Sequence, residues 1–470
     1  MSFVGLLISC IFIVFGCGKA NDASFMTGGG SGGSSSGSAL VNFTIKDAPP
    51  AGITVASAEV TITGLSVTSA SGSTTVISSS NPVTVELGNL RADSAFLASA
   101  NLPAGTYTSM NVSVANFSVT FMNNSGSTVT FSGVTCQNDT PCQVSSSVAA
   151  NIPIATSPFP LTVSANLPVV VALDFNLNSI LDSSLTPNFS SGVSASATTI
   201  PLNSTSLIPI GNLFGQITAT DGAHGNFTVT NPQGAAKVNF DANTVFRDFP
   251  STNCATQGSA CLAVNQAVVV NSKFKNDGSV LATSVTFEDT FLTEPLVEGE
   301  IVFVKSSTQF QMIVFGEVSP GSSLTPGTIA TVTLSPTTTF SVDDDGTNAT
   351  AFSFVASANL IAGQVVQVKA LSASSGTSLL ADRVRLRDSE MTVTVQAPGS
   401  PNFTVNALPP IFTTASITQF QVQTSSGTEL GGTMQSTTQL TASQSVSIRG
   451  QLFRSGSNSV VMSASLVVGN

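Results

Sequence analysis

Gln444 to Leu466 reads QSVSIRGQLFRSGSNSVVMSASL, and its alternation decides the fold. Val446 and Ile448 stand two residues apart, as side chains on one face of a strand do. Ser455-Gly456 supplies the turn that sends the chain back as a second alternating run. The stretch is a glutamine-led β-hairpin, and it has two earlier counterparts. Gln266 to Val285 carries Val268 and Val270 and turns at Asp277-Gly278, while Gln364 to Val384 carries Val366 and Val368 and turns at Ser375-Gly376. Two further markers precede each hairpin, a Phe-centred strand and a Thr-x-Phe. They stand as Phe227-Thr228-Val229 with Thr244-Val245-Phe246, Phe310 to Phe315 with Thr338-Thr339-Phe340, and Phe403-Thr404-Val405 with Thr418-Gln419-Phe420. From the Phe of Thr-x-Phe to the Gln is 20, 24 and 24 residues. Order and spacing define an internal repeat, with copies at 212–290, 296–388 and 390–470. Each copy holds enough strands for its own core, so we expect small β-barrel or β-sandwich modules strung as beads, not a stacked superhelix.

Upstream, from Leu40, short alternating segments separated by turn residues continue the β pattern. They run through Val41-x-Phe43-x-Ile45, Val60-x-Ile62, Val83-x-Val85-x-Leu87 and Met110-x-Val112-x-Val114 to Val193–Ile200. Such spacing reads as an antiparallel β-sandwich over 39–203, and Pro201 to Asn212 reads as a linker. Composition agrees: only 8% of the 470 residues are charged, and β-branched residues abound, which favours strands over helices. A single large outer-membrane barrel would need aromatic girdles, and the chain has one Tyr and no Trp.

The chain begins differently. An apolar run from Phe3 to Phe15 leads to Gly16-Cys17, and GGGSGGSSSGS follows at 28–38. Thirteen residues make a helix of about 20 Å, short of the ~30 Å hydrocarbon core. That length suits the apolar region of an export signal. Val14-Phe15-Gly16-Cys17 resembles the bacterial lipobox, with Phe15 where a smaller or branched residue is usual, and implies that Cys17 is lipidated. Residues 1–17 are then a lipoprotein signal peptide and 18–38 a disordered Gly/Ser tether reaching roughly 25 Å.

Four motifs in order carry a second resemblance. Asp47-Ala48-Pro49, Glu86-Leu87-x-x-Leu90, Leu102–Tyr107 and Leu173-Asp174-Phe175-x-x-x-Ser179-Ile180 together resemble an uncharacterised domain family of bacterial lipoproteins. The repeat resembles another uncharacterised family, of extracytoplasmic β-barrel-like modules that occur in tandem behind lipoprotein anchors. These resemblances imply location and fold, not chemistry.

Cysteine usage fits export. Cys10 lies in the signal. Cys136 and Cys142 form one local pair, and Cys254 and Cys261 form another, each in a polar loop. Short even pairs of this kind read as disulfides. A metal reading would need four converging ligands, and no His or other Cys stands near either pair.

Candidate chemistry is sparse. His224, the only histidine, lies in Asp221-Gly222-Ala223-His224-Gly225, a hairpin turn, so any histidine-dependent triad would have to use it. Asp343-Asp344-Asp345-Gly346 resembles half of a calcium loop, making Asp343 and Asp345 the metal candidates, although Ser341 and Phe352 occupy ligand positions of the full pattern. Glu288, Asp289, Glu294, Glu298 and Glu300 crowd the boundary between the first two copies. They read as a solvated linker, with a cation site or an acid/base pair as alternatives. Asp47 and Asp174 lie at strand ends, where carboxylates cap backbone N–H groups. A net charge of −11 with 14 basic residues argues against nucleic acid as a partner.

The expectation is a non-enzymatic, all-β protein with no cofactor, exported and lipid-anchored in the bacterial cell envelope, at the periplasmic face of the outer membrane or the cell surface. It would contact the membrane through its anchor and serve in binding, adhesion or scaffolding, with an envelope protein or polysaccharide as partner. The rivals are an extracytoplasmic carboxylate hydrolase acting on glycans and a calcium-stabilised surface module.

Overall fold

The computed structural model describes residues 37–47, 54–88, 90, 95–182, 184–199, 208–231, 234–250, 254–289, 295–316, 324–343, 351–371, 376–406, 408–431 and 434–469. The expected signal peptide, Cys17 and nearly all of the expected tether therefore lie outside the described residues, as do Glu294 and Asp345. Among the described residues no helix is long and apolar enough to cross a membrane.

Strands β1 (Ser38–Asp47), β2 (Thr54–Ser69), β3 (Gly72–Ile77), β4 (Val83–Glu86), β5 (Ala95–Pro103) and β6 (Gly105–Met122) open the chain. A small ribbon of β7 (Val129–Phe131) and β8 (Val134–Cys136) follows, then β9 (Pro141–Ile154), β10 (Leu161–Val163), β11 (Val169–Phe175), the short helix α1 (Leu177–Ile180) and β12 (Val193–Thr199). They form two sheets, β12-β11-β1-β5 and β10-β6-β2-β3, with β4 and β9 joined to the second. Val41, Phe43, Val171 and Leu173 of the first sheet and Val60, Ile62, Val112 and Phe117 of the second share one buried core. The alternation identifies the sandwich, with one refinement: β1 and β11 run parallel, a choice that period-two patterning does not encode.

Three of the four family-like motifs are explained by this packing, Ala48 and Pro49 of the first lying outside the described residues. Glu86 Oε1 accepts the Ala58 and Gly88 N–H groups at 2.7 and 2.8 Å, fastening β4 to β2 beside the buried Leu87. Leu173, Phe175 and Ile180 enter the core, and Asn176 caps α1 by accepting from Ser179 N. Tyr107 is buried and its hydroxyl donates to the Pro103 carbonyl at 3.0 Å, closing the corner between β5 and β6. Burial raises its pKa, so the phenol stays a donor. Tyr107→Phe should lower stability by about 1 kcal/mol, read as a shift of the urea midpoint.

Three further groups of strands follow. The first is β13 (Ile208–Asp221), β14 (Asn226–Asn231), β15 (Gly234–Asn239), β16 (Val245–Arg247), β17 (Ala267–Phe274) and β18 (Val280–Asp289). The second is β19 (Leu296–Ser306), β20 (Gln309–Gly316), β21 (Ile329–Val342), β22 (Val365–Ala370) and β23 (Ser378–Leu386). The third is β24 (Asp388–Ala397), β25 (Asn402–Asn406), the short helix α2 (Pro410–Thr414), β26 (Gln419–Gln423), β27 (Glu429–Gly431), β28 (Ser445–Arg454) and β29 (Ser459–Gly469). In each, three antiparallel strands are followed by a hairpin whose first strand pairs with strand one and whose second returns parallel to strand three. The parallel pairs are β15–β18, β21–β23 and β26–β29. Each group thus closes into a small five-stranded barrel, which removes free sheet edges.

The repeat glutamine has a physical role. Its side-chain oxygen accepts from the residue three before it: Ala263 N to Gln266, Ile361 N to Gln364 and Thr441 N to Gln444, at 2.8, 2.8 and 3.1 Å. The residue before it takes positive φ in every copy, at Asn265, Gly363 and Ser443. That pair brackets the first strand through Ile217, Ile301 and Val395, each exchanging two backbone bonds with it. Gly363 also has the Phe412 ring 2.6 Å from where a Cβ would stand, so glycine is required there on two counts.

One marker is corrected. Thr244 and Thr338 donate to Ala282 O and Ala381 O, and the residue that does so in the third copy is Thr428, to Ala464 O, not Thr418. Thr418-Gln419-Phe420 leads into β26, the counterpart of β15. The agreement of 24 residues in the last two copies was coincidence of spacing.

The beads expectation also fails. Asn42 and Thr44, on the outer face of β1, are buried; Asn42 Nδ2 donates to Gly278 O at 3.1 Å, and Phe96 meets Phe274 with ring centroids 6.1 Å apart. Ala56 and Met122 of the sandwich cluster with Val302 and Ile313 of the second barrel, where Thr120 Oγ1 donates to Gly327 O at 2.9 Å. Phe453 and Val461 of the third barrel belong to the second barrel's core. Alternation shows only that a strand has an apolar face, and here several strands bury both faces.

Candidate functional site

Arg383, Arg385 and Arg387 alternate along and just beyond β23 with Val384 and Leu386. The aliphatic residues face the barrel core, which sends all three guanidinium groups to the outside. There they meet the end of β18. Arg385 Nη1 lies 3.1 and 3.2 Å from the two Glu288 carboxylate oxygens, Arg383 Nη2 lies 3.3 Å from Oε2, and Arg387 Nη1 lies 3.5 Å from Oε1. Arg387 also reaches Asp343 Oδ2 at 2.5 Å and Glu298 Oε1 at 3.6 Å, and Arg385 reaches Asp248 Oδ2 at 2.9 Å. The Glu288 side chain is fully buried and Arg387 is 1% exposed.

This changes the reading of the boundary carboxylates. Glu288, Glu298 and Glu300 are buried, not a solvated linker: three arginines of the second barrel surround Glu288 across the junction, and one of them, Arg387, also meets Glu298 of its own barrel. Fully desolvated charges survive only when paired and hydrogen-bonded. A second, smaller cluster continues into the third barrel: Arg449 Nε lies 3.4 Å from Asp388 Oδ2, and Ser465 Oγ donates to the same oxygen at 2.8 Å. Burial pushes Arg449 down to about 10, which leaves it cationic at neutral pH.

The other nominated residues stay apart. His224 Nδ1 is 2.7 Å from Asp221 Oδ2 on an exposed turn, and this hydrogen bond holds the Asp221 carboxyl below its ordinary value. Asp343 lies against Arg387, and Asp345, the other residue nominated for calcium, lies outside the described residues. Asp174 sits half-buried on the outer side of β11, and Asp47 ends β1. Among the described residues no group of three or more His, Cys, Asp or Glu side chains is arranged to hold a metal ion.

The cysteines pair as expected but not in the setting expected. Cys136 stands at disulfide distance from Cys142, and Cys254 from Cys261, with Cα–Cα separations of 5.6 and 5.1 Å. The polar-loop placement is corrected for Cys136, which ends β8 in the sandwich core, and for Cys142, the second residue of β9 opposite Phe121 of β6. It is corrected also for Cys261, which ends a single 3₁₀ turn, Ser259–Cys261. Cys142 packs into the sandwich core and Cys261 into the core of the first barrel. The Gln, Asn, Thr and Ser around them suggest exposure, but the sulfur itself is apolar and buries readily.

The sandwich carries a surface groove of about 370 Å³ across β4, β2, β6 and β9. Thr84, Glu59, Thr61, Asn116, Ser118 and Ser145 line it, and its hydroxyls pair across strands, Thr61 with Thr84 and Ser118 with Ser145, each at 3.1 Å. Burial raises the Glu59 pKa, so this carboxyl keeps its proton to higher pH than an ordinary glutamate. Glu86, opposite it in the β2–β4 register, is held by the two backbone N–H groups described above.

Sequence reasoning passed over the arginine stripe and Glu59. The stripe had a signal, three cations at period two, which is unusual in a chain with 14 basic residues. Glu59 had none, since a single acid among Thr and Ser looks like any exposed strand position.

The fold and its junctions define a multi-module, all-β protein whose units are joined by buried contacts. Residues 38–188 match a family described as a domain of unknown function (DUF4382), and residues 214–286 match a second domain of unknown function (DUF5666). No curated protein matches the chain. Among solved structures, Drosophila Unr CSD456 is similar over 55% of this chain and 97% of its own, at 11% identity and a TM-score of 0.13. A multidomain protein with nucleic acid binding domains from Streptococcus pneumoniae is similar over 54% of this chain and 72% of its own, at 9% identity and a TM-score of 0.11. Neither likeness bears on the function of this chain.

Proposed function

We propose that the chain is a lipid-anchored protein of the bacterial cell envelope that holds a preassembled β-body off the membrane as a non-enzymatic binding or scaffolding element. The observation that carries this reading is the Glu288–arginine cluster. It joins the first and second barrels through charges that are costly to separate, so these two modules present their surfaces in a fixed arrangement. The same cluster supports binding over glycan hydrolysis, because it engages Glu288 and Glu298, two of the five boundary carboxylates for which an acid/base pair is the alternative reading. The pairing of Cys136 with Cys142 and of Cys254 with Cys261 suits an oxidising compartment.

Cell fractionation with mass spectrometry tests the anchor. The protein should sediment with membranes and carry a diacylglyceryl group on Cys17 at its mature N-terminus. Cys17→Ser should move it to the soluble fraction. An unmodified mature N-terminus at another residue, in a soluble protein, overturns the reading.

A further inference from the structure

The three barrels serve as controls for one another, because the hydrogen bonds to the repeat glutamine fix their alignment. Ile217, Ile301 and Val395 are equivalent positions, and each is followed by a bulge in the first strand. The next outward residue is Ala219 in the first barrel, Phe303 in the second and Ala397 in the third. Across the following two strands the register continues as Thr228 and Lys237, Gln311 and Thr331, and Thr404 and Gln421. The second barrel alone places an aromatic ring on this face. Phe303 is 47% exposed, flanked in its row by Gln311 and Thr331 and followed by the row of Gln309 and Thr333, whose side chains hydrogen-bond at 3.4 Å. The Gln311 amide has no side-chain partner among the described residues.

We infer that this face of the second barrel, centred on Phe303, binds a neutral glycan, the ring stacking on the C–H face of a sugar while Gln311, Gln309 and the threonine hydroxyls address its hydroxyl groups. The inference rests on the binding role proposed above and gives it a ligand class. Three observations select this occupant. The barrel is closed, so its backbone donors and acceptors are committed and an extended peptide cannot add as a strand. One ring amid amides and hydroxyls is not the contiguous apolar patch that self-association uses. Neither the row of Phe303, Gln311 and Thr331 nor that of Gln309 and Thr333 holds a cation, with Lys305 in the bulge beside them, and the chain carries a net charge of −11, whereas a nucleic acid needs several cations along its backbone. A sugar offers what the face matches, an apolar ring face edged by hydroxyls.

The test titrates the full chain with cello-, malto- and chito-oligosaccharides by calorimetry, with single-stranded oligodeoxythymidylate in parallel. At least one saccharide should bind, Phe303→Ala should weaken it about tenfold or more, and Phe303→Tyr should preserve it. Gln311→Ala should weaken it as well. Phe303 is exposed and outside every core cluster, so these variants fold, as circular dichroism will confirm. The inference is overturned if no saccharide binds, if binding is indifferent to Phe303→Ala, if oligodeoxythymidylate binds through Phe303, or if Phe303→Ala instead abolishes self-association in sedimentation. Chain length of the bound saccharide is read after incubation. Unchanged length supports binding without turnover, and shortening refutes the non-enzymatic reading while leaving the site in place.

Discussion

Glu288→Ala should destabilise the junction of the first two barrels by about 3–5 kcal/mol, the range for removing one partner of a buried ion pair. Differential scanning calorimetry should show a lowered transition, with the first and second barrels melting separately. The size follows from what remains. Arg385 and Arg387 are 7% and 1% exposed, and without Glu288 the three guanidinium groups would repel one another in a poorly solvated space, with Asp248, Asp343 and Glu298 at its margins. Glu288→Gln retains an acceptor but not the charge, and should fall between wild type and alanine. Replacing Glu288 and Arg385 together by Leu and Met should cost less than the sum of the single changes, since the second substitution removes the charge that the first left stranded. The exposed Lys275–Asp277 pair, 3.7 Å apart, is the control: Asp277→Asn should change junction stability by under about 1 kcal/mol.

The two clusters also show where sequence legibility ended. Hairpins Gln266–Val285, Gln364–Val384 and Gln444–Leu466 could be read because local alternation and a turn residue suffice to specify them. Closure of each barrel could not, since the parallel pairs β15–β18, β21–β23 and β26–β29 bring together segments with no local signal. Thr418 misled for a related reason: a Thr two residues before a Phe is common in any β-rich chain, and only the bond to Ala464 O shows that Thr428 holds the equivalent place. Cys142 and Cys261 were legible as partners of Cys136 and Cys254 from spacing alone, but their burial was not, because polar neighbours masked it. Glu288 looked like linker because a sequence shows a charge but not its partner, and the nearest guanidinium groups lie 95 to 99 positions away. Period-two arginines at 383, 385 and 387 predict a charged strand face. Whether that face meets water or a neighbouring module depends on long-range docking, which alternation does not encode.

Docking is tested most sharply at Phe453. Aligned from the repeat glutamines, Phe453 stands where the first barrel has Lys275, a residue whose side chain is 38% exposed. Its neighbour Leu452 aligns with Phe274, and both enter their own barrel's core. Strand β28 therefore buries one face at home, through Leu452, and the other abroad, through Phe453. That ring is fully buried in the second barrel's cluster and stacks on Phe352 with centroids 5.1 Å apart. Beside it, Gln364 Nε2 donates to Leu452 O at 2.8 Å and Arg454 Nη2 to Leu360 O at 3.2 Å. Phe453→Ala should then cost about 3–5 kcal/mol, as for a fully buried aromatic. Its signature should be non-local: amide exchange should accelerate around Phe352 and Leu360 in the second barrel, while the β28–β29 hairpin keeps its protection. Independent beads would give the reverse, a loss confined to the third barrel, and that outcome would refute the shared core. Lysine at the same position, as the first barrel carries naturally, should be worse than alanine, because it would add an unpaired charge to the cavity.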